Sequence, residues 1–537
     1  MMMLIIQCLG ALLLLLLVAG VAIRLIYPLP KLDPRPVSQY LGDTAATPLG
    51  KGVATLAAHQ PAHSGRSGIH LLYDGRDAFA ARVLLARAAT RSLDIQYYIW
   101  RGDLSGTLML QAVREAADRG VRVRLLLDDN GITGLDAVLA ALDRHPNIEI
   151  RIFNPFVLRK PKMLGYLADF SRLNRRMHNK SFTADNQATV IGGRNIGDEY
   201  FGARDGGLYA DLDVLAIGPV VEDVSRDFDR YWSSQSAYPA SRILRSVNEK
   251  GGNRLATHAS RIEQDPAARA YVESVRSLPF VEQVVSGELP LEWATIRLVS
   301  DDPAKGIGMA QKEQLLAPAL QKAIGQPRRQ VRLISGYFVP TKAGTDALAG
   351  LSEQGLDVAI FTNAFEATDV WIVHAGYAER RKALLRAGVR LFEMHGPHRA
   401  DGQRARRKLL ATGSGSRGGS EGPVLRSANA TLHAKTFAID DERLFIGSFN
   451  FDPRSFHLNT ELGFVIESPV LATMVADAFG SEIRDHAYEV VLADDGHLNW
   501  RERDGDEVVV HQREPGTSRF QRWGIQLLAR LPIEWLL

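Results

Sequence analysis

The chain has 537 residues, 46% of them hydrophobic and 23% charged, with a formal net charge of +3. That length exceeds one small core and suits two lobes with additions, while near-balanced charge excludes attraction of polyanions by the molecule as a whole, so any hold on an anion must be local. The one cysteine, Cys8, excludes an intrachain disulfide and a cysteine metal cluster.

Residues 1–23 carry no charged side chain. About 20 residues at 1.5 Å each span roughly 30 Å, the hydrocarbon thickness of a bilayer. A cleaved secretory signal is the alternative, but the basic leading region is missing and the apolar run is longer than a usual signal core. We therefore expect residues 1–27 to be a transmembrane anchor. Arg24, Lys31 and Arg35 follow it, and basic flanks favour the cytoplasm. Residues 28–67 read as a linker, rich in proline at its start (Pro28, Pro30, Pro34, Pro36).

A first lobe is expected over 68–233. Residues 92–100 alternate and are rich in β-formers. A helical periodicity follows over 105–117 and Gly120 ends it. Residues 121–127 form a second apolar strand. This is a β-α-β unit. Residues 156–177 then mix Arg159, Lys160, Lys162, Arg172, Arg175 and Arg176 with apolar side chains, a composition that suits a lipid headgroup boundary or an amphipathic helix packed on its own lobe.

The next run, HNKSFTADNQATVIGGRN, contains His178, Lys180, Asp185, Gly192, Gly193 and Asn195. Residues 208–217 follow as a strand that Asp211 enters. A helical connection is expected over 234–290. A second lobe, 291–495, repeats the scheme: strand 331–339, helix 341–352, Gly355, strand 356–362. Residues 400–427 are basic, then Gly/Ser-rich, and read as a solvated surface loop. The run HAKTFAIDDERLFIGSFN then supplies His433, Lys435, Asp440, Gly447, Ser448 and Asn450, and strand 459–466 follows with Glu461. The tail 496–537 ends in a stretch mixing Arg519, Arg522 and Arg530 with Phe520, Trp523 and Trp535, suited either to a membrane interface or to docking on the body.

The two copies of His-x-Lys-x4-Asp-x6-Gly-(Gly/Ser)-x-Asn lie 255 residues apart (433 − 178). Six fixed positions match by accident on the order of once in 10^5 chains of this length. An internal duplication explains two copies. In a strand, residues i and i+2 share a face, so each histidine points with its lysine. Two imidazoles and two ammonium groups facing one anion can carry out phosphoryl transfer: one neutral imidazole attacks phosphorus, the other protonates the leaving alcohol and deprotonates the incoming hydroxyl, and the lysines hold the equatorial oxygens. Asp211 and Glu461 can accept the second ring N–H and fix each tautomer. Gly193 and Ser448 permit close backbone approach, and Asn195 and Asn450 offer amides to phosphate oxygens or to the histidines. Asp185 and Asp440 join the candidate catalytic set, acting in the turn or in the opposite copy's hydrogen bonding. No metal and no cofactor are expected.

The duplicated motif resembles that of the phospholipase D superfamily. Several runs are similar to bacterial cardiolipin synthases: LDIQYYIWRGDLSG, RLNRRMHNKSFTADNQATVIGGRNIGDEYFGA, LHAKTFAIDDERLFIGSFNFDPRS and the terminal LPIEWLL. The resemblance implies two tandem α/β/α lobes with mixed sheets, related by a pseudo-twofold, with one active site at their interface. It also implies transfer of a phosphatidyl group through a phosphohistidine, with His178 as nucleophile and His433 as acid and base. The expected partners are phosphatidylglycerol, phosphatidylethanolamine and a bacterial inner membrane, with no nucleic acid. The chain departs from the family in one respect, since cardiolipin synthases often carry two N-terminal spans and this chain has one. A phospholipase with water as acceptor is the main rival. A nuclease is disfavoured because the basic stretches are mixed with apolar residues, and a non-catalytic scaffold because both motifs are complete.

Overall fold

The computed structural model describes residues 2–203, 208–245, 257, 260–262, 264–368, 370–396, 430–505 and 507–529. The solvated loop expected over 400–427 and the last eight residues lie outside that set. In chain order the strands of the first half are β1 Ser67–Leu72, β2 Ser92–Ile99, β3 Arg122–Gly131, β4 Ile148–Phe153, β5 Ser181–Ala184, β6 Ala188–Gly192, β7 Leu208–Ala210, β8 Asp213–Ile217 and β9 Ala237–Pro239. Those of the second half are β10 Glu292–Ser300, β11 Gln330–Ser335, β12 Asp357–Asn363, β13 Arg390–Met394, β14 Ala430–Leu432, β15 Lys435–Ile439, β16 Arg443–Gly447, β17 Leu462–Glu467, β18 Ala487–Leu492, β19 Leu498–Asp504 and β20 Glu507–His511.

Hydrogen bonding orders the first lobe β9-β4-β3-β2-β5-β6-β8-β1. The second runs β10-β17-β16-β15-β11-β12-β13-β18-β19-β20. The innermost run of each lobe follows one scheme: β4-β3-β2-β5-β6-β8-β1 matches β13-β12-β11-β15-β16-β17-β10, with parallel pairs on one side and antiparallel pairs on the other. The two lobes join edge to edge where β1 pairs antiparallel with β10. Behind that seam a shared core contains Ile69, Ile191 and Val214 from one lobe and Ile334, Leu444 and Phe464 from the other.

The first parallel pair of each lobe, β2–β3 and β11–β12, is joined by the expected crossover helix. Leu104–Asp118 starts at Asp103, whose carboxylate accepts from the Gly106 N–H. Lys342–Glu353 starts at Thr341, whose hydroxyl oxygen accepts from the Gly344 N–H. Gly120 and Gly355 sit past the helix ends at φ of +93° and +92°, a conformation that costs a residue with a Cβ. Alternation places Leu93, Ile95 and Tyr97 in the lobe 1 core, while Asp94 on the other face takes two hydrogen bonds from Arg124.

Two expected strands are broken, both at the residues of interest. The strand read over 208–217 divides at Asp211 and Leu212, and the one read near His433 divides at His433 and Ala434. His178 to Lys180 likewise precede β5 rather than belonging to it. The reason is tertiary: these segments leave their own sheets to bond to the other lobe. The helices Pro266–Arg276 and Pro279–Ser286 of the connection pack Ala268, Tyr271, Val275 and Phe280 against the lobe 1 core.

Among the described residues one helix, Met2–Ile26, is long and apolar enough to cross a membrane. Near its end Gly20 meets the body: a Cβ there would lie 2.5 Å from the Leu167 carbonyl oxygen. Leu167 belongs to the helix Gly165–Leu173 within the basic-apolar stretch 156–177.

Candidate active site

Each histidine is fixed by main-chain bonds to the opposite lobe. The His178 N–H donates to the Thr460 carbonyl (2.9 Å) and the Thr460 N–H to the Arg176 carbonyl (2.9 Å). The His433 and Ala434 N–H groups both donate to the Ala210 carbonyl (2.8 and 3.0 Å), extending the parallel pairing of β14 with β7. So each histidine segment is stitched beside the residue that precedes the other lobe's carboxylate.

The consequence is a reciprocal pairing that sequence spacing does not disclose. The Nδ1 of His178 lies 2.8 and 3.1 Å from the two carboxylate oxygens of Glu461, in lobe 2. The Nδ1 of His433 lies 2.5 Å from Asp211, in lobe 1. With Nδ1–H donated to Glu461, the lone pair of the neutral His178 ring is on Nε2, the atom left for chemistry; the Nδ1 of His433 has the Lys435 ammonium at 2.9 Å as well as Asp211. All four side chains are buried, as are Lys180 and Lys435.

Burial dominates the electrostatics. It pushes His178 down to about 4, with Lys180 and Lys435 adding to the effect and Glu461 opposing it. It lowers His433 too, helped by Lys435 and Lys180 and opposed by Asp211. Lys180 is pushed down to about 7 by burial and by Lys435, against the pull of Glu461. For the carboxylates, burial favours the neutral form and is outweighed: His178, Lys180 and Ser448 hold Glu461 below the usual carboxylate range, and Lys435 and His433 hold Asp211 well below it. Each lobe's lysine acts on the other lobe's histidine, which puts the two lysines and the two imidazoles in one neighbourhood. The lysine ammonium groups also donate back to the main chain, Lys180 to the His178 carbonyl (2.5 Å) and Lys435 to the His433 carbonyl.

The remaining candidates divide. Ser448 donates its hydroxyl to Glu461 (2.5 Å), and Ser455 does the same to the other carboxylate oxygen (2.8 Å). Gly193 must be glycine, because a Cβ would lie 2.1 Å from an Asp211 oxygen. Asn195 accepts from the Ile99 N–H (3.1 Å) and donates to the Tyr200 hydroxyl (3.0 Å), so it positions neighbours rather than reaching toward a substrate. Asn450 is buried with its side-chain carbonyl unbonded.

Asp185 and Asp440 sit in the turns, the first of the two places expected for them, and their carboxylates are taken up there rather than facing the histidines. Asp185 accepts from the main-chain N–H groups of Thr90, Arg91 and Ser92, and Asp440 from those of Arg328, Arg329 and Gln330. Both sit at positive φ (49° and 58°) in the three-residue turns β5–β6 and β15–β16. Each locks a hairpin to the loop before its lobe's first parallel strand, at the strand end remote from the histidines.

Four tyrosines complete the site and were missed. The Tyr98 ring is 5.0 Å from that of His178, and the Tyr209, Tyr200 and Tyr337 rings are 5.0, 5.4 and 6.0 Å from that of His433. They come from both lobes: Tyr98 lies near the end of β2, and Tyr337 follows β11. Among the described residues no group of three or more His, Cys, Asp or Glu is placed to hold a metal ion.

Comparison with known proteins gives the family and the fold. The family model "Cardiolipin synthase, PLD-like domain" matches residues 84–232 and 320–483, one segment per lobe. Cardiolipin synthase C of Escherichia coli K12 is 48% identical over 475 residues, covering 88% of this chain and 97% of that protein. A cardiolipin synthase of Staphylococcus aureus is 25% identical over 76% of this chain and 65% of its own length. Among solved structures, the phosphatidylserine synthase of Haemophilus influenzae shares the fold, with a TM-score of 0.53 at 13% identity over 90% of this chain and 98% of that one.

Proposed function

The chain belongs to the cardiolipin synthase family of phospholipase D-like proteins, and from that membership and the site we propose that it transfers a phosphatidyl group from phosphatidylglycerol, or phosphatidylethanolamine, to the hydroxyl of a second phosphatidylglycerol, yielding cardiolipin. The observation that carries this reading is the reciprocal cross-lobe pairing of His178 with Glu461 and His433 with Asp211. It brings two carboxylate-paired imidazoles, one from each lobe, to a buried interface, as a two-step displacement requires.

In the first step Nε2 of His178 attacks phosphorus. The bond from phosphorus to the headgroup oxygen breaks, and His433 delivers the proton from its Nε2 to that oxygen, releasing glycerol or ethanolamine. In the second step the acceptor hydroxyl gives its proton back to His433 and attacks phosphorus, and the nitrogen–phosphorus bond of the phosphohistidine breaks. Lys180 and Lys435 offset the charge that gathers on the phosphoryl oxygens. Two features support giving the nucleophile's part to His178. Its partner Glu461 is already satisfied by two serine hydroxyls, which weakens its pull on a further proton. Asp211 accepts from the Leu212 N–H but sits against glycine rather than serine, and it makes the shorter bond to its histidine. An arriving phosphodiester adds a negative charge that raises the proton affinity of His433.

We place the protein in the bacterial inner membrane, anchored by the helix Met2–Ile26. The test is reconstitution in phosphatidylglycerol vesicles with and without phosphatidylethanolamine, scoring cardiolipin, phosphatidic acid and released headgroup. Cardiolipin with one headgroup freed per molecule is the expected product. Phosphatidic acid alone would turn the assignment to a hydrolase.

A further inference from the structure

The C-terminal helix Arg519–Ala529 has two faces. One is docked: Ile525 is buried and Leu528 partly so, against Phe365 and Ala375 of the second lobe. The docking is anchored just upstream, where the Glu514 carboxylate lies 2.6 Å from both Arg381 and His374, and Arg381 reaches on to Glu393 at 2.8 Å. A buried ion network of this kind is costly to break, so the helix is held firmly on the body. The other face is bare and apolar. Phe520 is 78% exposed, Trp523 59% and Leu527 48%, and Trp371 of the supporting segment is 48% exposed beside them. The helix has no acidic residue and carries Arg519 and Arg522.

The place of this face in the fold indicates what covers it. Its support, residues 364–378, follows the C-terminal end of β12, where the Asn363 side chain binds Leu432, the residue before His433. In the first lobe residues 154–173 follow the C-terminal end of β4, the parallel neighbour of β3, whose Asp128 binds Met177, the residue before His178. That segment exposes Met163, Leu164, Leu167 and Phe170 and carries the end of the membrane-length helix at Gly20. Each lobe thus presents an apolar patch on a segment that leaves its sheet at the same strand ends as its own histidine, and one of the two adjoins a helix of membrane length.

We infer that Phe520, Trp523 and Leu527 form a second membrane contact, with helix Arg519–Ala529 lying in the headgroup region of an anionic bilayer that the N-terminal helix crosses. Aromatic and aliphatic side chains enter the acyl boundary while the arginines meet lipid phosphates. The body then rests on the membrane at two points flanking the histidines, and a headgroup phosphodiester enters the site without its lipid leaving the bilayer. This rests on the phospholipid reading of the site.

The single native cysteine makes a direct test available. In the Cys8→Ser full chain, nitroxides are attached to cysteines placed one at a time at Phe520, Trp523 and Leu527, with Met163 as the apolar reference and exposed Gln354, at the opposite end of the second lobe's sheet, as the aqueous one. In phosphatidylglycerol vesicles the ratio of oxygen to nickel-chelate collisions at all three sites is expected to match Met163 and exceed Gln354 several-fold. Ratios equal to that of Gln354 overturn the proposal, as does dipolar broadening between labels on separate chains, which would assign the face to a second copy. The same vesicles scored for cardiolipin keep the two readings apart: lipid-like ratios without turnover refute the enzymatic assignment and leave the membrane contact standing.

Discussion

The two lobes repeat one scaffold but differ in what holds their histidines. In lobe 1 the residue before the histidine is tied by the Asp128 carboxylate, which is also ion-paired with buried Arg176 at 2.7 Å. In lobe 2 the matching tie comes from the neutral Asn363, whose amide accepts from Leu432 and donates to its carbonyl. The carboxylates differ in the same way: Glu461 takes two serine hydroxyls, whereas Asp211 faces Gly193 at the place where the other copy has Ser448. Duplication therefore preserved the main-chain geometry and let the charges diverge, which is what one nucleophile and one proton carrier require.

Removing either imidazole is expected to have the largest effect, with His178→Ala and His433→Ala each lowering turnover by on the order of 10^3-fold or more. The two should differ in kind. With a phosphatidyl ester of a good leaving group, His433→Ala should still accumulate labelled phosphoprotein on alkaline quench, where a nitrogen–phosphorus bond survives, and His178→Ala should not. Label on the His178→Ala protein would reverse the assignment.

Next come the partners. Glu461→Gln and Asp211→Asn keep the shape but lose the charge that fixes each tautomer, and kcat should fall about 10^2-fold or more with KM little changed. Steady-state rates on vesicles near those of the unaltered chain would remove the cross-lobe pairs from the mechanism.

The anchors should separate the lobes by stability. Asp128→Asn leaves Arg176 without its charge partner and should cost about 3–5 kcal/mol. Asn363→Ala removes neutral bonds and should cost about 1–3 kcal/mol. Urea unfolding in detergent gives the order, and a larger loss for Asn363→Ala would sink the contrast.

The smallest expected effect is on pH dependence. His178 titrates near 4 when folded and near 6.5 when unfolded. Between those values the unfolded chain binds a proton that the folded chain refuses, so stability falls as pH drops from about 6.5 toward 4. Glu461, held below its ordinary range, loses its contribution in the same direction at lower pH. Thermal midpoints of His178→Gln should show a shallower acid loss. An unchanged slope would place the proton uptake elsewhere.

The pairs His178/Lys180 and His433/Lys435 and the two β-α-β units were legible because each is local: spacing of 2 sets residues to one side of an extended segment, and a repeat at matched offsets is visible in one dimension. The same locality misled for Asp185 and Asp440, whose place in the motif suggested chemistry although their carboxylates are taken up by main-chain N–H groups. The tyrosines Tyr98, Tyr200, Tyr209 and Tyr337 were not legible, because their ring contacts depend on how the lobes face. What the chain alone determined is which groups are present and that each comes twice. Which acid serves which imidazole was decided only in three dimensions, because His178 and Glu461 are 283 residues apart and His433 and Asp211 are 222 apart. Bonds across such separations form where β1 meets β10 and the histidine segments leave their own sheets, and hydrophobic periodicity encodes neither event.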